Sequence, residues 1–299
     1  MAVTLPGSLE ELVTALSHTP EADVLAGGTD LMVEVNFGRH HPGDVVSVSR
    51  VPELKGWHRE GSEVVLGAAL TYTEMMEPEL AGLLPALCQA ARTVGSPQIR
   101  NAGTIGGNLA TGSPAGDTLP VLAALCAKVV LDSKDGRRQL PLHEFSLGVK
   151  RTALLPGEVV SSVKVPLTES RQEFLKVGTR NAMVIAVCSV ALVVDSEHRQ
   201  VRVGLGSVGP VALRAPEAET LATEAIDWET GMLTGGKEVL GRFEELVAAA
   251  ARPIDDHRST ARYRRHAVGV CARRALERAA AAPGVPGAPG VREVRGEAP

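Results

Sequence analysis

Apolar residues recur at helical spacing at Leu9, Leu12, Val13 and Leu16, which predicts a helix near the start of the chain. Val24-Leu25-Ala26 reads as a short strand, and beyond the Gly27-Gly28 pair the segment from Asp30 to Val35 fits either a helix or another strand. Val45 to Val48 and Val64 to Ala68 read as strands, so α and β elements alternate. Leu80 to Val94 returns to helical spacing, and Pro97 is expected to open a long loop that runs to about Asp117. Leu119 to Ala127 predicts a helix, Lys128 to Leu131 a strand, and Val159 to Val165 alternates apolar and polar residues before Pro166. The polar run Thr168 to Gln172 separates that strand from the next and places a boundary near residues 168 to 175. Strands are expected near Val187 to Val194 and Gln200 to Val208, then helices near Pro216 to Ala225, Lys237 to Ala251 and Ser259 to Ala282. Strands followed by helices indicate an α+β layer. From Ala282 to Pro299, Pro and Gly recur without hydrophobic periodicity, the composition of a disordered tail.

A chain of 299 residues is long enough for about two domains. The formal charge of −4 gives no broad basic footprint, which disfavours a nucleic-acid reader. No stretch approaches the roughly 18 consecutive apolar residues of a membrane span. Met1 to Pro6 lacks a basic region followed by an apolar core, so a cytoplasmic location is expected. Cys88, Cys126, Cys188 and Cys271 form no C-x-x-C pair, which argues against structural zinc and against an iron–sulfur cluster held by this chain. Each is read as a free thiol, packing like a small hydrophobe where buried.

The segment from Pro97 to Asp117 is glycine-rich, carries hydroxyl and amide side chains and has hardly any charge. That composition suits wrapping a ligand better than staying solvated, so the segment is expected to be ordered. Gly27-Gly28 follows a strand directly, with Thr29 adding a hydroxyl, and such a turn can aim several backbone N–H groups at phosphate oxygens. Alone, a Gly-Gly turn after a strand is more often just a turn. Thr104-Ile105-Gly106-Gly107-Asn108 repeats the chemistry, and two such turns could grip a diphosphate from both sides. Neither matches the P-loop or the Rossmann fingerprint. Asp117 has two readings, an N-cap for the helix that follows or an acceptor for sugar or ribityl hydroxyls of a bound cofactor.

The string from Arg100 to Thr118, with Thr104-Ile105-Gly106-Gly107-Asn108 and Ser113-Pro114-Ala115-Gly116-Asp117 inside it, resembles the FAD-binding segment of the molybdenum hydroxylases, the xanthine dehydrogenase and CO dehydrogenase family. Val24-Leu25-Ala26-Gly27-Gly28-Thr29-Asp30-Leu31 stands upstream in the family's order, and similarity continues through Lys176 to Ala182 and Pro253 to Arg265. The resemblance covers nearly everything up to about residue 280. It implies an α+β chain with an FAD-binding domain of the vanillyl-alcohol-oxidase (PCMH) type over residues 1–167. A C-terminal α+β domain of the CO dehydrogenase flavoprotein type is expected over 168–281, with residues 282–299 as the tail. FAD is expected to bind non-covalently, while [2Fe–2S] clusters and molybdopterin belong to partner subunits.

By the same resemblance, Val24, Leu25, Ala26, Gly27, Gly28, Thr29, Asp30 and Leu31, together with Thr104, Ile105, Gly106, Gly107 and Asn108, wrap the diphosphate. Asp117 binds cofactor hydroxyls, Val94 and Gly95 lie beside the flavin, Val160 forms an apolar wall, and Lys176 is a further FAD contact. Some family members carry a stacking aromatic at the Val94 position, which this chain lacks. Without the family, Lys176 and Arg180 also read as solvated charges. Asp255, Asp256 and the run Arg262 to Arg265 read as an acidic helix start and a polar helix face, the latter able to dock a partner. No catalytic or metal-binding side chain is assigned to this chain. The function implied is the FAD subunit of a xanthine dehydrogenase-type complex, passing electrons from [2Fe–2S] clusters through FAD to NAD+ in purine catabolism. The nearest alternative is the same subunit of a CO-, aldehyde- or N-heterocycle-oxidising complex. A reading from another class is a non-catalytic flavin-binding assembly scaffold.

Overall fold

A computed structural model of the chain describes residues 2–281. The tail expected from Ala282 lies outside the described residues. Strands Val3–Thr4, Val45–Ser47 and Asp23–Leu25 form a small parallel sheet in that order. The helix Leu9–His18 contributes Leu12 and Leu16 to a core shared with Val46 and Val48, and Ser8 Oγ accepts from the Glu11 N–H at its start. A five-stranded antiparallel sheet follows, in the order Trp57–Glu60, Glu63–Gly67, Val159–Pro166, Lys128–Ser133, Gly136–Pro141.

The second half is an antiparallel meander of Ser170–Val177, Cys188–Asp195, Gln200–Gly206 and Leu213–Arg214. Every residue of Cys188–Asp195 is buried. Side chains alternate between the faces of a strand, and here both faces are covered. Val190, Leu192 and Val194 join a core with the helices Gly236–Ala250 and Ala261–Ala281, whereas Ala191 and Val193 join the core of the first half. The helix Thr118–Ala124 packs on that second face so closely that a Cβ at Gly204 would lie 1.8 Å from the Pro120 carbonyl oxygen. Only glycine fits there.

Most predicted elements are present, and the ambiguous segment after the first glycine turn is the helix Leu31–Asn36. Four differences have physical causes. The single helix expected over Leu80 to Val94 is two, Pro78–Leu83 and Pro85–Thr93, because Pro85 forces Leu84 out of helical geometry. The long loop expected from Pro97 to Asp117 is ordered but contains the short helices Pro97–Ala102 and Ile105–Thr111, capped by Ser96 and Thr104. Its glycines serve close approach rather than looseness: a Cβ at Gly106 would lie 2.7 Å from the Ala68 carbonyl oxygen. The polar run separates the two strands only as far as Glu169. Strand Ser170–Val177 begins inside it, because pairing with Cys188–Asp195 satisfies one edge of its backbone and the buried Gln172 amide donates to Leu83 O and Ser170 Oγ. Strands Trp57–Glu60 and Gly136–Pro141 are too polar to stand out by periodicity, since both lie at the sheet edges.

The Arg262 to Arg265 run is likewise not one polar face. Arg264 is 2% exposed and donates to Ser207 O and to Asp256, which also accepts from Arg258 at 2.6 Å. Burial works to raise the Asp256 carboxyl, but the Arg258 and Arg264 guanidiniums outweigh it and hold it well below the usual carboxylate range. Its contribution is therefore complete above about pH 4 and is lost as the pH falls toward the folded value. Asp256→Ala is expected to lower stability at neutral pH by about 3 kcal/mol, because Arg264 is left buried without its anion. Chemical denaturation across pH checks this. The variant should also lose part of the wild-type acid sensitivity.

Candidate cofactor site

Strand Asp23–Leu25 delivers the first glycine turn. A Cβ at Gly27 would lie 1.6 Å from the Ala102 carbonyl oxygen, and Gly28 has φ +68°, so each position requires glycine for its own reason. The N–H groups of Gly27, Gly28, Thr29, Asp30 and Leu31 donate to nothing among the described residues. They form a run of five open donors at the start of Leu31–Asn36. Val24 is exposed and Leu25 and Ala26 are half-buried, while the exposed Asp30 accepts from Thr111 Oγ1 at 3.3 Å.

The second turn differs from the expected cradle. Ile105 N–H donates to Leu70 O, Gly106 N–H to Ala68 O, Gly107 N–H to Thr104 Oγ1 and Asn108 N–H to Thr104 O. With these four amides engaged inside the fold, the Thr104 N–H is the open backbone donor the second turn keeps among the described residues. Ile105 and Gly106 are buried, and the second motif's first service is to seat the first turn through Ala102. What else it leaves for a ligand is Gly107, where a Cβ would meet only Thr104 Oγ1 within 4 Å, and the side chain of Asn108.

Asn108 lines a cavity of about 230 Å³ with Tyr72, Val94, Gly95, Asp117 and the loop residues 183–185. Asp117 precedes Thr118–Ala124 but makes no side-chain cap bond, so the capping reading fails. Its Oδ2 accepts from Lys176 Nζ at 2.5 Å and from Thr93 Oγ1 at 3.3 Å, while its Oδ1 is buried without a partner. Burial holds the carboxyl above its ordinary value, outweighing Lys176 and then Thr93, which pull it down. Lys176 is no solvated charge. Its side chain is 7% exposed and stands behind Asp117, also donating to Thr93 O at 3.2 Å, and it is not among the cavity-lining residues. Val160 belongs to the core under the sheet rather than to the cavity wall. Arg180 folds back on the carbonyls of Ala182 and Met183, shaping the loop that covers one side.

Tyr72 and residues 183–185 complete the cavity without belonging to any sequence motif. Tyr72 lies outside both glycine motifs, and only the similarity ending at Ala182 pointed near the loop. Together the site holds open backbone donors for phosphate oxygens, an unpartnered buried acceptor for a hydroxyl, and apolar surface from Val94, Val184 and Ile185 for a ring. That set fits FAD.

Residues 1–168 match the family described as the FAD binding domain in molybdopterin dehydrogenase, and residues 173–279 match the CO dehydrogenase flavoprotein C-terminal domain. The chain belongs to the FAD-binding medium subunits of the molybdenum hydroxylase family. The chain is thus an oxidoreductase subunit, and the expected α+β fold, an FAD-binding domain followed by a CO dehydrogenase flavoprotein-type domain, is borne out. Among medium subunits, it is 31% identical to the carbon monoxide dehydrogenase medium chain of Hydrogenophaga pseudoflava, covering 92% of this chain and 95% of that one. Identity is 35% to the nicotinate dehydrogenase FAD-subunit of Eubacterium barkeri, over 74% and 78% of the two chains. It is 27% to the putative xanthine dehydrogenase FAD-binding subunit of Escherichia coli, over 93% and 95%. A chain of the solved carbon monoxide dehydrogenase from Hydrogenophaga pseudoflava superposes with a TM-score of 0.83, covering 94% of this chain and 96% of that one at 31% identity.

Gly107→Val should weaken FAD retention about tenfold or more, because its branched side chain fills the one open side of the second turn. Flavin content after gel filtration measures it. Asp117→Asn should weaken FAD binding by about 2 kcal/mol, roughly 30-fold, through loss of the charged acceptor. Equilibrium dialysis of the cofactor-free chain checks the value, and the double variant Asp117→Asn, Lys176→Met removes the unpaired ammonium from the comparison.

Proposed function

We propose that this chain is the flavin subunit of a multi-subunit molybdenum dehydrogenase. An iron–sulfur subunit with [2Fe–2S] clusters and a molybdopterin-binding subunit supply the electrons, and NAD+ takes them. The observation that carries the reading is Asp117, whose buried Oδ1 lacks a partner in a cavity beside the glycine motifs. FAD, when bound, supplies a centre that accepts electrons singly and releases them in pairs. The chain's own residues position it. Val24 to Leu31 offer the open amides to the diphosphate, Gly107 and Asn108 border it, Asp117 accepts from a cofactor hydroxyl, and Val94 and Gly95 flank the ring. Lys176 acts from behind Asp117, and Val160 supports the sheet beneath. The FAD-binding unit is taken as 1–167 and the second unit as 168–281. A cytoplasmic place belongs to this reading, where free thiols such as the four here persist.

The substrate belongs to the molybdenum partner. We assign the class to N-heterocycles, which includes both nicotinate and xanthine, and keep xanthine and purine catabolism as the member that the Thr104 to Asn108 and Ser113 to Asp117 forms favour. Carbon monoxide is the second reading, favoured by 31% identity over 92% of the chain to a carbon monoxide dehydrogenase medium chain. NADH added anaerobically to the FAD-loaded chain should bleach the flavin absorption. Absence of any bound yellow chromophore after FAD is supplied would overturn the flavin role, and bound FAD that NADH leaves unreduced would overturn NAD+ as the acceptor.

A further inference from the structure

Tyr72 stands in the cavity wall outside both glycine motifs, in the turn after strand Glu63–Gly67. It is 6% exposed. Its N–H donates to Gly103 O at 3.1 Å, and its ring lies so close to Gly103 that a Cβ there would meet Cε2 at 2.7 Å. The ring is therefore held on both its backbone and its edge. Its hydroxyl donates to nothing among the described residues. Burial, then the Asp117 and Asp30 carboxylates, push the phenol far above its ordinary value, so the hydroxyl keeps its proton and remains a donor.

Two polar groups thus line one cavity without partners, a donor at Tyr72 and an acceptor at Asp117 Oδ1. No hydrogen bond joins them, so each is left open to a ligand in the same cavity. A buried acceptor without a partner, as at Asp117 Oδ1, is costly, and a cavity that pairs it with an open donor suits a group that is both. A hydroxyl can accept from Tyr72 while donating to Asp117. A phosphate can only accept, and the Asp117 carboxylate would repel it. The pair therefore selects a neutral polyol over an anionic group.

We propose that Tyr72 and Asp117 together take one hydroxyl of the ribityl chain, Tyr72 donating and Asp117 accepting, so that Tyr72 is a specificity-determining contact for the polyol part of the cofactor. This rests on the FAD reading above. The test uses the cofactor-free full chain with FAD and with FAD analogues that each lack one ribityl hydroxyl. Tyr72→Phe is expected to weaken FAD about tenfold, with the melting temperature of the cofactor-free form unchanged. One deoxy analogue should bind the wild type about as weakly, and Tyr72→Phe should weaken that analogue no further. In an Asp117→Asn background the Tyr72→Phe loss should shrink, because the shared hydroxyl has already lost one anchor. Unchanged FAD affinity in Tyr72→Phe, an equal loss against every analogue, or additive losses in the double variant would overturn the proposal. A wild-type chain that binds no FAD would instead overturn the reading on which it rests.

Discussion

The ion pair between Lys176 and Asp117 is the interaction around which the site is arranged. Both side chains are almost wholly removed from water, with 7% and 6% exposure. Desolvating two charges is expensive, and their attraction offsets that cost only when further hydrogen bonds hold the geometry. Thr93 supplies them, its carbonyl accepting from Lys176 and its hydroxyl donating to Asp117. Because Lys176 lies on Ser170–Val177 and Asp117 opens Thr118–Ala124, the pair also joins the two halves of the chain at the cavity. With one carboxylate oxygen committed to the protein, the other is left for something else.

The packing around this pair explains why it stays dry. Strand Cys188–Asp195 sends alternate side chains into two cores, so the second half's sheet is covered from both directions. Gly204 lets Thr118–Ala124 settle onto that sheet with its backbone almost in contact, and this seating fixes the residue just before the helix, Asp117. The position of the unpartnered carboxylate oxygen is thereby set by helix-on-sheet packing.

Most of the helices and strands were legible from hydrophobic spacing, because the long elements bury a regular face. The glycine motifs and Asp117 were legible from chemistry and resemblance. What could not be read depended on tertiary partners. The glycines between Pro97 and Asp117 looked like a loop because the sequence does not say that Gly103 faces a tyrosine ring or that Gly106 faces Ala68. The amides of residues 105–108 looked available because their acceptors, Leu70, Ala68 and Thr104, are known only once the helix is seated. Lys176 stands out by resemblance, but that it lies behind Asp117 rather than in the cavity wall follows only from the packing. Tyr72 carried no local signal, since it sits in neither motif and meets the cavity only through the packing of Gly103.

The contact between Gly27 and the Ala102 carbonyl has a kinetic side. Two backbones that touch without an intervening Cβ cannot shift separately, so the turn with the open amides is shaped by the fold before any ligand arrives. Binding then requires little ordering of the protein, and the entropy of fixing those residues is lost once, during folding. Association then needs no rearrangement of that turn, and the lifetime of the complex reflects how well the preformed donors match the ligand's oxygens.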